Sequence, residues 1–411
     1  MNKKGKTNII ISGGNFNNKG AQAMLFITAS ELRKYAPGVK IFFDSQDKYR
    51  DCSEYGFEQI DREALRNALL YTSKETGLFD FMFKSLRHAV RMCLEKNMYA
   101  AFAEYKYIRM IRDTEALLDI SGYALSSEFS EWHNKLYLDI IRGSVNSAID
   151  TYILPQSFGP FDYDDKAGMI GLIKDSLAGV RRIYAREDEG LAFLQEAGVS
   201  SAHRSSDIVL QSRIDEWSDH LKGEGDESRY RDRVWIVPNM KLLKYRTKEE
   251  LYALYDVIVD DLLKRGEKIL LVYNSNEDQI LCRQILENHQ TGGDIELCER
   301  ELNFYEYMRY VRDAKFIISS RYHSLVMALK EGIPCIALGW AVKYEDLFRL
   351  VGQEQYVIGI TDDDVEAGML GMIDLMEKNY RTASEEIIRN VADICRNNCF
   401  DDLFEAMRER S

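Results

Sequence analysis

The stretch SSRYHSLVMALKEGIP, residues 319–334, places Arg321, His323 and Ser324 where an apolar run gives way to a helical pattern. The preceding AKFIISS predicts a strand, and Gly332 predicts the end of the helix that follows. The free N–H groups at the start of a helix favour an anion. Arg321 adds a planar fork suited to phosphate or carboxylate, and His323 can donate a hydrogen bond or transfer a proton. The turn therefore predicts an anion site, against the alternative of a surface arginine and a core histidine.

A second loop that could approach a ligand is SGGNFNNKGAQAM, residues 12–24. Glycines such as Gly20 let the backbone come close to a ligand, and Asn15, Asn17 and Asn18 supply amide groups. The spacing is not GxGxxG, so the NAD fingerprint is not met. The loop is a candidate ligand loop, and the alternative is a tight turn with an asparagine helix cap.

Arg186 follows the apolar run RRIYA and precedes an acidic helical pattern. An arginine at the carboxyl end of a strand in a doubly wound sheet faces the ligand crevice. The alternative is a surface ion pair with Asp188 or Glu189, which contributes little to stability.

Prolines mark two further candidate loops, LPQSFGPF and VPNM. Pro155 and Pro238 border apolar runs, and proline cannot continue a central strand ladder. Gln156 and Ser157 are therefore expected beyond the end of a strand, where parallel sheets bind ligands.

A group suited to a sugar occurs in SGYALSSEFSEWHNKL, which contains Glu128, Trp132 and His133. Aromatic and carboxylate side chains together can bind a polyhydroxylated ligand. The same group is equally consistent with an ordinary helix cap.

These residues would be positioned by parallel sheets, because short apolar runs alternate with helical patterns almost throughout the chain. SDIVL is among the runs predicted to be strands. We predict an α/β protein of two Rossmann-like domains. The predicted segments are a first domain 1–212 with a helical insertion at about 61–112, a linker 213–232, a second domain 233–372 and C-terminal helices 373–411.

The charge balance excludes one class of partner. The 411 residues include 54 Lys and Arg against 67 Asp and Glu, for a net charge of -13. Non-specific nucleic-acid binding depends on phosphate neutralisation, so no nucleic-acid partner is expected. Seven cysteines without a CxxC pair, and no His/Asp/Glu cluster with ligand spacing, indicate a reducing compartment and no metal site.

The expected location is the cytoplasm, because the chain has no signal-peptide core and no apolar run of about 18 residues. Residues 79–96 lie in FDFMFKSLRHAVRMCLEKN, which mixes basic and aromatic residues. This stretch predicts either an ordinary helical hairpin or a basic amphipathic surface that rests on the inner face of a membrane.

The motifs NNKGAQA, LPQSFGPF, YAREDEGLAFLQEAG, SSDIVL, SSRYHSLVMALKEGIPCIAL and WAVKYEDL occur in that order. Together they resemble the polysaccharide pyruvyl transferase family. The resemblance implies a GT-B-like fold with the site in the interdomain cleft. It implies phosphoenolpyruvate as co-substrate, with no other cofactor, and a sugar or lipid-linked glycan as acceptor. The product would be a pyruvate ketal that bridges two sugar hydroxyls, in surface polysaccharide biosynthesis. Galactose, mannose, glucose and an acetamido sugar all stay open as acceptors.

Carried over residue by residue, the resemblance implies a set of donor-binding residues in the second domain and at the end of the first. This phosphoenolpyruvate set comprises Arg186, Arg321, Tyr322, His323, Ser324 and Lys343. His323 is expected to assist phosphate departure. The N-terminal loop GGNFNNKGA is longer than the turn of many relatives.

The first domain is expected to be the acceptor side. Its candidate residues are Asn15, Asn17, Asn18, Gly20, Gln156, Ser157 and Asp207. Glu128, His133 or Asp207 is the candidate acceptor of a hydroxyl proton.

The main alternative is a nucleotide-sugar glycosyltransferase of the same two-domain type. In that enzyme the turn at 321–324 would bind a diphosphate, and a later carboxylate would bind the ribose. Glu331 is the candidate for that carboxylate, although it lies at the far end of the helix.

Overall fold

The computed structural model describes residues 7–45, 52–73, 106–213, 230–289 and 293–409. The chain divides into two compact units. The first unit comprises Met1–Phe16, Met24–Ile208 and Cys399–Ser411, and the second comprises Asn17–Ala23 and Val209–Asn398. Most of the helical insertion expected at 61–112, the basic stretch 79–96 and most of the linker expected at 213–232 lie outside the described residues.

The first unit alternates strands and helices. They are β1 (Asn8–Ser12), α1 (Lys19–Tyr35), β2 (Lys40–Ser45), β3 (Phe57–Asp61), α2 (Arg62–Thr72), β4 (Thr114–Asp119), β5 (Tyr123–Leu125), α3 (Glu131–Asn146), β6 (Asp150–Phe158), α4 (Lys166–Leu177), β7 (Arg182–Ala185), α5 (Asp188–Glu196) and β8 (Ala202–Arg204). Its parallel sheet has the order β3-β2-β1-β4-β6-β7-β8, and β5 pairs with β6. Each residue of the central strand β1 is buried, as expected for a strand covered by helices on both faces.

The second unit repeats this alternation. It contains β9 (Val234–Val237), α6 (Lys248–Lys264), β10 (Ile269–Leu271), α7 (Asn276–Asn288), β11 (Ile295–Leu297), α8 (Phe304–Val311), β12 (Phe316–Ser319), α9 (Tyr322–Lys330), β13 (Cys335–Gly339), α10 (Lys343–Leu350), β14 (Val357–Gly359) and α11 (Val365–Arg396). The parallel order is β11-β10-β9-β12-β13-β14. The predicted α/β fold with two parallel sheets is confirmed.

Both sheets have a point at which the chain changes direction across the sheet. In the first unit β1 leads to β2 and β3 on one side, whereas β4 and the later strands lie on the other. In the second unit the same change occurs between β9 and β12. Loops at the carboxyl ends of strands separate at such a point and leave a crevice in which open α/β sheets bind ligands.

Two local predictions are wrong. Gln156 and Ser157 lie within β6, because the strand continues past Pro155. The register of β6 against β7 shifts between Ile153 and Gln156, so the missing N–H of the proline falls at an irregularity in the ladder. SDIVL forms no strand, and its apolar residues are buried in turns instead. A short apolar run does not distinguish a strand from a buried turn.

The chain ends on the first unit with α12 (Cys399–Arg408). The ring of Phe404 stacks on that of Tyr35 at 4.4 Å between centroids, and Asp402 accepts a hydrogen bond from Tyr184. Among the helices of the described ranges, none combines the length and apolar character needed to cross a bilayer.

Candidate functional site

The turn after β12 holds a guanidinium group on a buried carboxylate. Arg321 is the N-cap residue of α9, and its backbone N–H donates to the Ser319 Oγ at 2.9 Å. Its Nη2 lies 2.5 Å from Asp278 Oδ1 and 3.1 Å from the Ser275 Oγ. Asp278 is fully buried. The Arg321 Nε and the Asp278 Oδ2 have no hydrogen-bond partner within the described chain, so this buried pair has unused bonding capacity.

A second cation lies close to Arg321. Lys241 is exposed in a short 3-10 turn (Met240–Lys244) of the loop after β9. Desolvation and the positive charge of Arg321 lower its pKa, and the carboxylates Asp278 and Glu277 offset part of that decrease. Asn239 ties this loop to the turn after β12, because its amide donates to the Ser320 carbonyl at 2.9 Å. Its Oδ1 accepts the N–H of Lys241. Two neighbouring cations that repel each other indicate a place where an anion is favoured.

His323 packs directly on a glycine. A Cβ atom built on Gly20 would lie 2.2 Å from both Cγ and Nδ1 of His323, which is far inside contact distance. The glycine therefore allows the imidazole to lie against the backbone of the first turn of α1. Sequence reasoning expected Gly20 to approach a ligand, and the structure places a side chain of the other motif there instead.

The rest of NNKGAQA is fixed to the second unit, with which residues 17–23 group. Lys19 is buried and its ammonium lies 2.6 Å from Glu301 Oε1. The Phe304 N–H donates to the Gln22 Oε1 at 2.8 Å. The Asn18 Oδ1 accepts the N–H of Gly20 at 2.9 Å, as expected of a helix cap. Asn17 is exposed, and Asn15, which groups with the first unit, is half-buried.

The other donor candidates differ in character. Lys343 begins α10 and lies over three rings, 4.2 Å from the Trp340 centroid, 5.6 Å from Tyr322 and 5.9 Å from Tyr344. A cation held over aromatic faces stays charged while it is partly desolvated. Ser324 is fully buried and accepts a hydrogen bond from the Asn274 amide, so its hydroxyl has a structural partner.

Arg186 has a different environment from the one expected. It is buried in the first unit, with Nε at 2.8 Å from Glu187 Oε1 and Nη1 at 2.8 Å from Asp207 Oδ2. Its Nη2 donates to the Ser157 Oγ at 2.5 Å. The guanidinium thus binds two buried carboxylates, and the exposed Asp188 pairs with Arg204. Asp207 and Ser157 belong to this network.

A buried carboxylate lies at the crossover of the first sheet. Asp119 ends β4 and is fully buried. Ser121 Oγ donates to its Oδ1 at 2.6 Å, while Tyr137 Oη and Gln156 Nε2 lie at 2.9 and 2.7 Å from Oδ2. Burial raises the pKa of Asp119, and these hydrogen bonds offset part of that increase.

Arg62 lies beside this carboxylate. Its Nε donates to the Asp44 Oδ2 at 2.9 Å, and the Asp44 Oδ1 accepts the Gly13 N–H at 2.6 Å. Burial opposes the charge of Arg62, but Asp44 and Asp119 together raise its pKa. The Arg62 Nη2 has no hydrogen-bond partner in the described part of the chain.

The two proton-acceptor candidates on and before α3 differ in exposure. Glu128 is exposed. His133 lies in the first turn of α3, where partial burial and the charge of Arg62 lower its pKa. A neutral imidazole beside the Arg62 cluster can accept a proton at neutral pH.

Sequence reasoning missed four charged residues of these sites, namely Lys241, Asp278, Asp119 and Arg62. Two had a usable signal, because Lys241 follows the candidate loop VPNM and Asp119 ends the apolar run ALLD. The other two begin or enter helices and reach the sites by tertiary packing, which no local pattern reports.

We expect Arg186→Leu to destabilise the full-length protein by about 3–5 kcal/mol, because it leaves two buried carboxylates without their cation. Calorimetric unfolding measures the change. Arg204→Leu is the matched control, since Arg204 pairs with the exposed Asp188 and its loss costs less than about 1 kcal/mol. Equal effects of the two substitutions would contradict the structural role assigned to Arg186.

We expect Gly20→Ala to displace the His323 imidazole, because the new methyl group would overlap the ring. The imidazole resonances of His323 in a two-dimensional NMR spectrum report the displacement. Gly171→Ala is the control, since a Cβ at that position in α4 meets nothing within 4 Å. Unchanged His323 resonances in the Gly20 variant would show that the close contact is wrong.

Solved structures share the fold of this chain. UDP-GlcNAc 2-epimerase from Neisseria meningitidis bound to UDP-GlcNAc matches with a TM-score of 0.58 and 9% identity, covering 98% of this chain and 100% of that one. The UDP-GlcNAc 2-epimerase from Methanocaldococcus jannaschii gives 0.55 and 11%, over 94% and 99%. A UDP-forming trehalose-phosphate synthase from Burkholderia xenovorans gives 0.52 and 9%, over 98% and 99%. These similarities confirm the GT-B-like fold and, at such identities, nothing more.

The family is shown by sequence. No curated protein sequence matches the chain. The model of the family described as polysaccharide pyruvyl transferase matches residues 18–341, from NNKGAQA to the segment after β13. The match covers most of the chain and includes the turn with Arg321 and His323. The chain therefore belongs to the polysaccharide pyruvyl transferase family.

Proposed function

We propose that this protein transfers the pyruvyl group of phosphoenolpyruvate to two hydroxyls of a sugar and forms a pyruvate ketal. The observation that carries the proposal is the cation pair of Arg321 and Lys241 at the crossover of the second sheet, beside the start of α9. Family membership supports a transferase that acts in polysaccharide biosynthesis.

Phosphoenolpyruvate suits this pair because its phosphate and its carboxylate are both attached to the same carbon. Each anion needs a cation or several N–H donors. In the proposal the unused Nε of Arg321 and the ammonium of Lys241 bind the phosphate, together with N–H groups of α9. Lys343 is the proposed partner of the carboxylate. Arg186 is buried and already pairs with the carboxylates Glu187 and Asp207, so the proposal does not depend on it.

A proton adds to the methylene carbon of phosphoenolpyruvate, and a sugar hydroxyl oxygen bonds to the adjacent carbon while it loses its proton. The bond from that carbon to the phosphate oxygen then breaks, and the second hydroxyl closes the ketal. Of the two hydroxyl protons, one replaces the proton added to carbon and the other leaves with phosphate. His323 is the proposed donor to the departing phosphate.

His133 is the proposed acceptor of the first hydroxyl proton. Its lowered pKa keeps the imidazole neutral. The other candidates are less suitable, because Asp207 is engaged by Arg186 and Glu128 is exposed on the preceding loop.

We expect Arg321→Lys and Lys241→Met each to weaken phosphoenolpyruvate binding by about tenfold or more, the effect of losing a hydrogen bond to a charged group. Isothermal titration calorimetry measures the affinity. Lysine at position 321 keeps a cation near Asp278, so the fold is retained. Phosphoenolpyruvate binding should also weaken as the pH rises, and this loss should begin below the ordinary pKa of a lysine. The reason is that the pKa of Lys241 is lowered and only its ammonium form attracts the anion.

Lys378→Met is the control for this measurement, since Lys378 is exposed on α11 and pairs with the exposed Asp374 one helical turn away. It changes the net charge by the same amount as Lys241→Met. Wild-type affinity in both site variants would remove the basis for the proposed donor site. The glycosyltransferase alternative predicts binding of UDP-sugars instead, and Glu331, its candidate ribose ligand, pairs with Arg312 at the end of α9.

The ordinary pKa of a histidine is about 6.5, and that of His133 is lowered. As the pH is lowered, we therefore expect the transfer rate to stay high below pH 6.5 and to fall only when His133 becomes protonated. The initial rate of phosphate release against pH measures this. His133→Asn should lower kcat by about a hundredfold and remove the acidic limb. The exposed His203 supplies the control variant His203→Asn. An identical acidic limb in His133→Asn would assign the titration to another group.

A further inference from the structure

The crossover of the first sheet contains two buried polar atoms without partners in the described chain. Gln156 is 1% exposed, and its Nε2 donates to Asp119 and lies 3.0 Å from Tyr137 Oη, but its Oε1 accepts nothing. The Arg62 Nη2, in contact with the same charge cluster, donates to nothing. One vacant acceptor and one vacant donor thus lie around the Asp119 carboxylate.

The hydrogen bonds around Asp119 fix these groups in place. Burial beside Asp119 raises the pKa of Tyr137 well above its ordinary value, so the phenol keeps its proton and donates it. With its Nε2 committed to Asp119, Gln156 must present Oε1 as the remaining acceptor. Arg62 is held in turn by Asp44 through Nε. The donor and the acceptor are therefore preorganised rather than free to pair elsewhere.

The charges of Asp44, Asp119 and Arg62 determine which class of ligand is favoured here. Among the described residues, Asp44 and Asp119 are both fully buried and lie beside the cation Arg62. A second anion, such as phosphate, would be repelled by this excess of carboxylate. A neutral hydroxyl is favoured, because one O–H group both donates, as Gln156 Oε1 requires, and accepts, as Arg62 Nη2 requires.

Two loops pack closely at this edge of the first sheet. Gly13 has a positive φ of 88°, and a Cβ at this position would lie 2.4 Å from Ser121 Oγ. The loops after β1 and β4 therefore approach each other closely at the crossover, where only glycine is accommodated. This is the position at which parallel sheets bind ligands.

We propose that Gln156, Arg62 and Asp119 form a binding site for a hydroxyl group of a neutral sugar. Its assignment as the acceptor site rests on the proposed function, whereas sugar binding as such does not. Gln156 and Arg62 contact the hydroxyl group, and Asp119 is a positioning residue that acts through Gln156. The competing explanation is a single buried water that satisfies both vacant groups.

The test measures binding of methyl β-D-galactopyranoside, methyl β-D-glucopyranoside and methyl β-D-mannopyranoside to the full-length protein by saturation-transfer NMR without phosphoenolpyruvate. At least one glycoside is expected to bind. Gln156→Met, which removes the vacant acceptor at similar volume, should weaken that binding about tenfold. Arg62→Lys keeps a cation beside Asp44 but removes the Nη2 donor, and it should have the same effect.

The control is Gln353→Met. Gln353 is also 1% exposed with an unpartnered Oε1, but it lies in the second unit and bonds Glu386. This control separates the specific site from a general effect of altering a buried glutamine. Melting temperatures of all three variants, compared with that of the wild type, identify any variant that does not fold. If Gln156→Met does not fold, Arg62→Lys provides the result.

Failure of each proposal has a separate signature. If none of the glycosides binds the wild type, or if Gln156→Met and Arg62→Lys bind as well as Gln353→Met, the vacant groups hold only water and the sugar site is refuted. If the glycoside binds and the variants lose it while phosphoenolpyruvate does not bind at all, the sugar site stands and the proposed donor is wrong.

Discussion

The pairing of Arg321 with the buried Asp278 is the constraint on which the second unit's candidate site depends. A fully buried carboxylate needs a cation, and it fixes the guanidinium at the carboxyl edge of the sheet. The pair does not use all of its hydrogen-bonding capacity, since Nε of the arginine has no described partner. Held there next to Lys241, the guanidinium places two neighbouring cations near the start of α9. The NNKGAQA segment adds a second constraint by fixing the backbone on which His323 rests.

The crossovers of the two sheets differ in their charges. At the crossover of the second sheet the cations Arg321 and Lys241 are neighbours, and the carboxylates Asp278 and Glu277 partly balance them. At the crossover of the first, the two buried carboxylates Asp44 and Asp119 lie beside one arginine, Arg62, in the described part of the chain. An anionic donor and a neutral polyol are the ligands that such environments respectively favour. Arg186 illustrates the difference, because in the first unit a conspicuous arginine is neutralised by its own neighbours.

Sequence predicted the parallel sheets and the turn at Arg321 because both follow from local pattern, namely apolar runs, a helix start and a glycine stop. Predictions from sequence were wrong where the pairing of one strand with another determines how far a strand extends. Pro155 falls at a register shift, so β6 continues through Gln156, and no local signal reports the pairing partner that makes this possible. Asp278 and Arg62 were missed because their relevance comes from charges brought near by folding. Gly20 was singled out as a point of close backbone approach, and the His323 ring that lies against it comes from a distant part of the sequence.

The central claim is that phosphoenolpyruvate is the donor. The most direct measurement is mass spectrometry of methyl glycosides incubated with the full-length protein and phosphoenolpyruvate, with inorganic phosphate assayed in the same samples. The account predicts a glycoside that gains the mass of a pyruvate ketal, with one phosphate released for each ketal formed. Consumption of a UDP-sugar with glycosylation of the same acceptors, and no phosphate released from phosphoenolpyruvate, would contradict it.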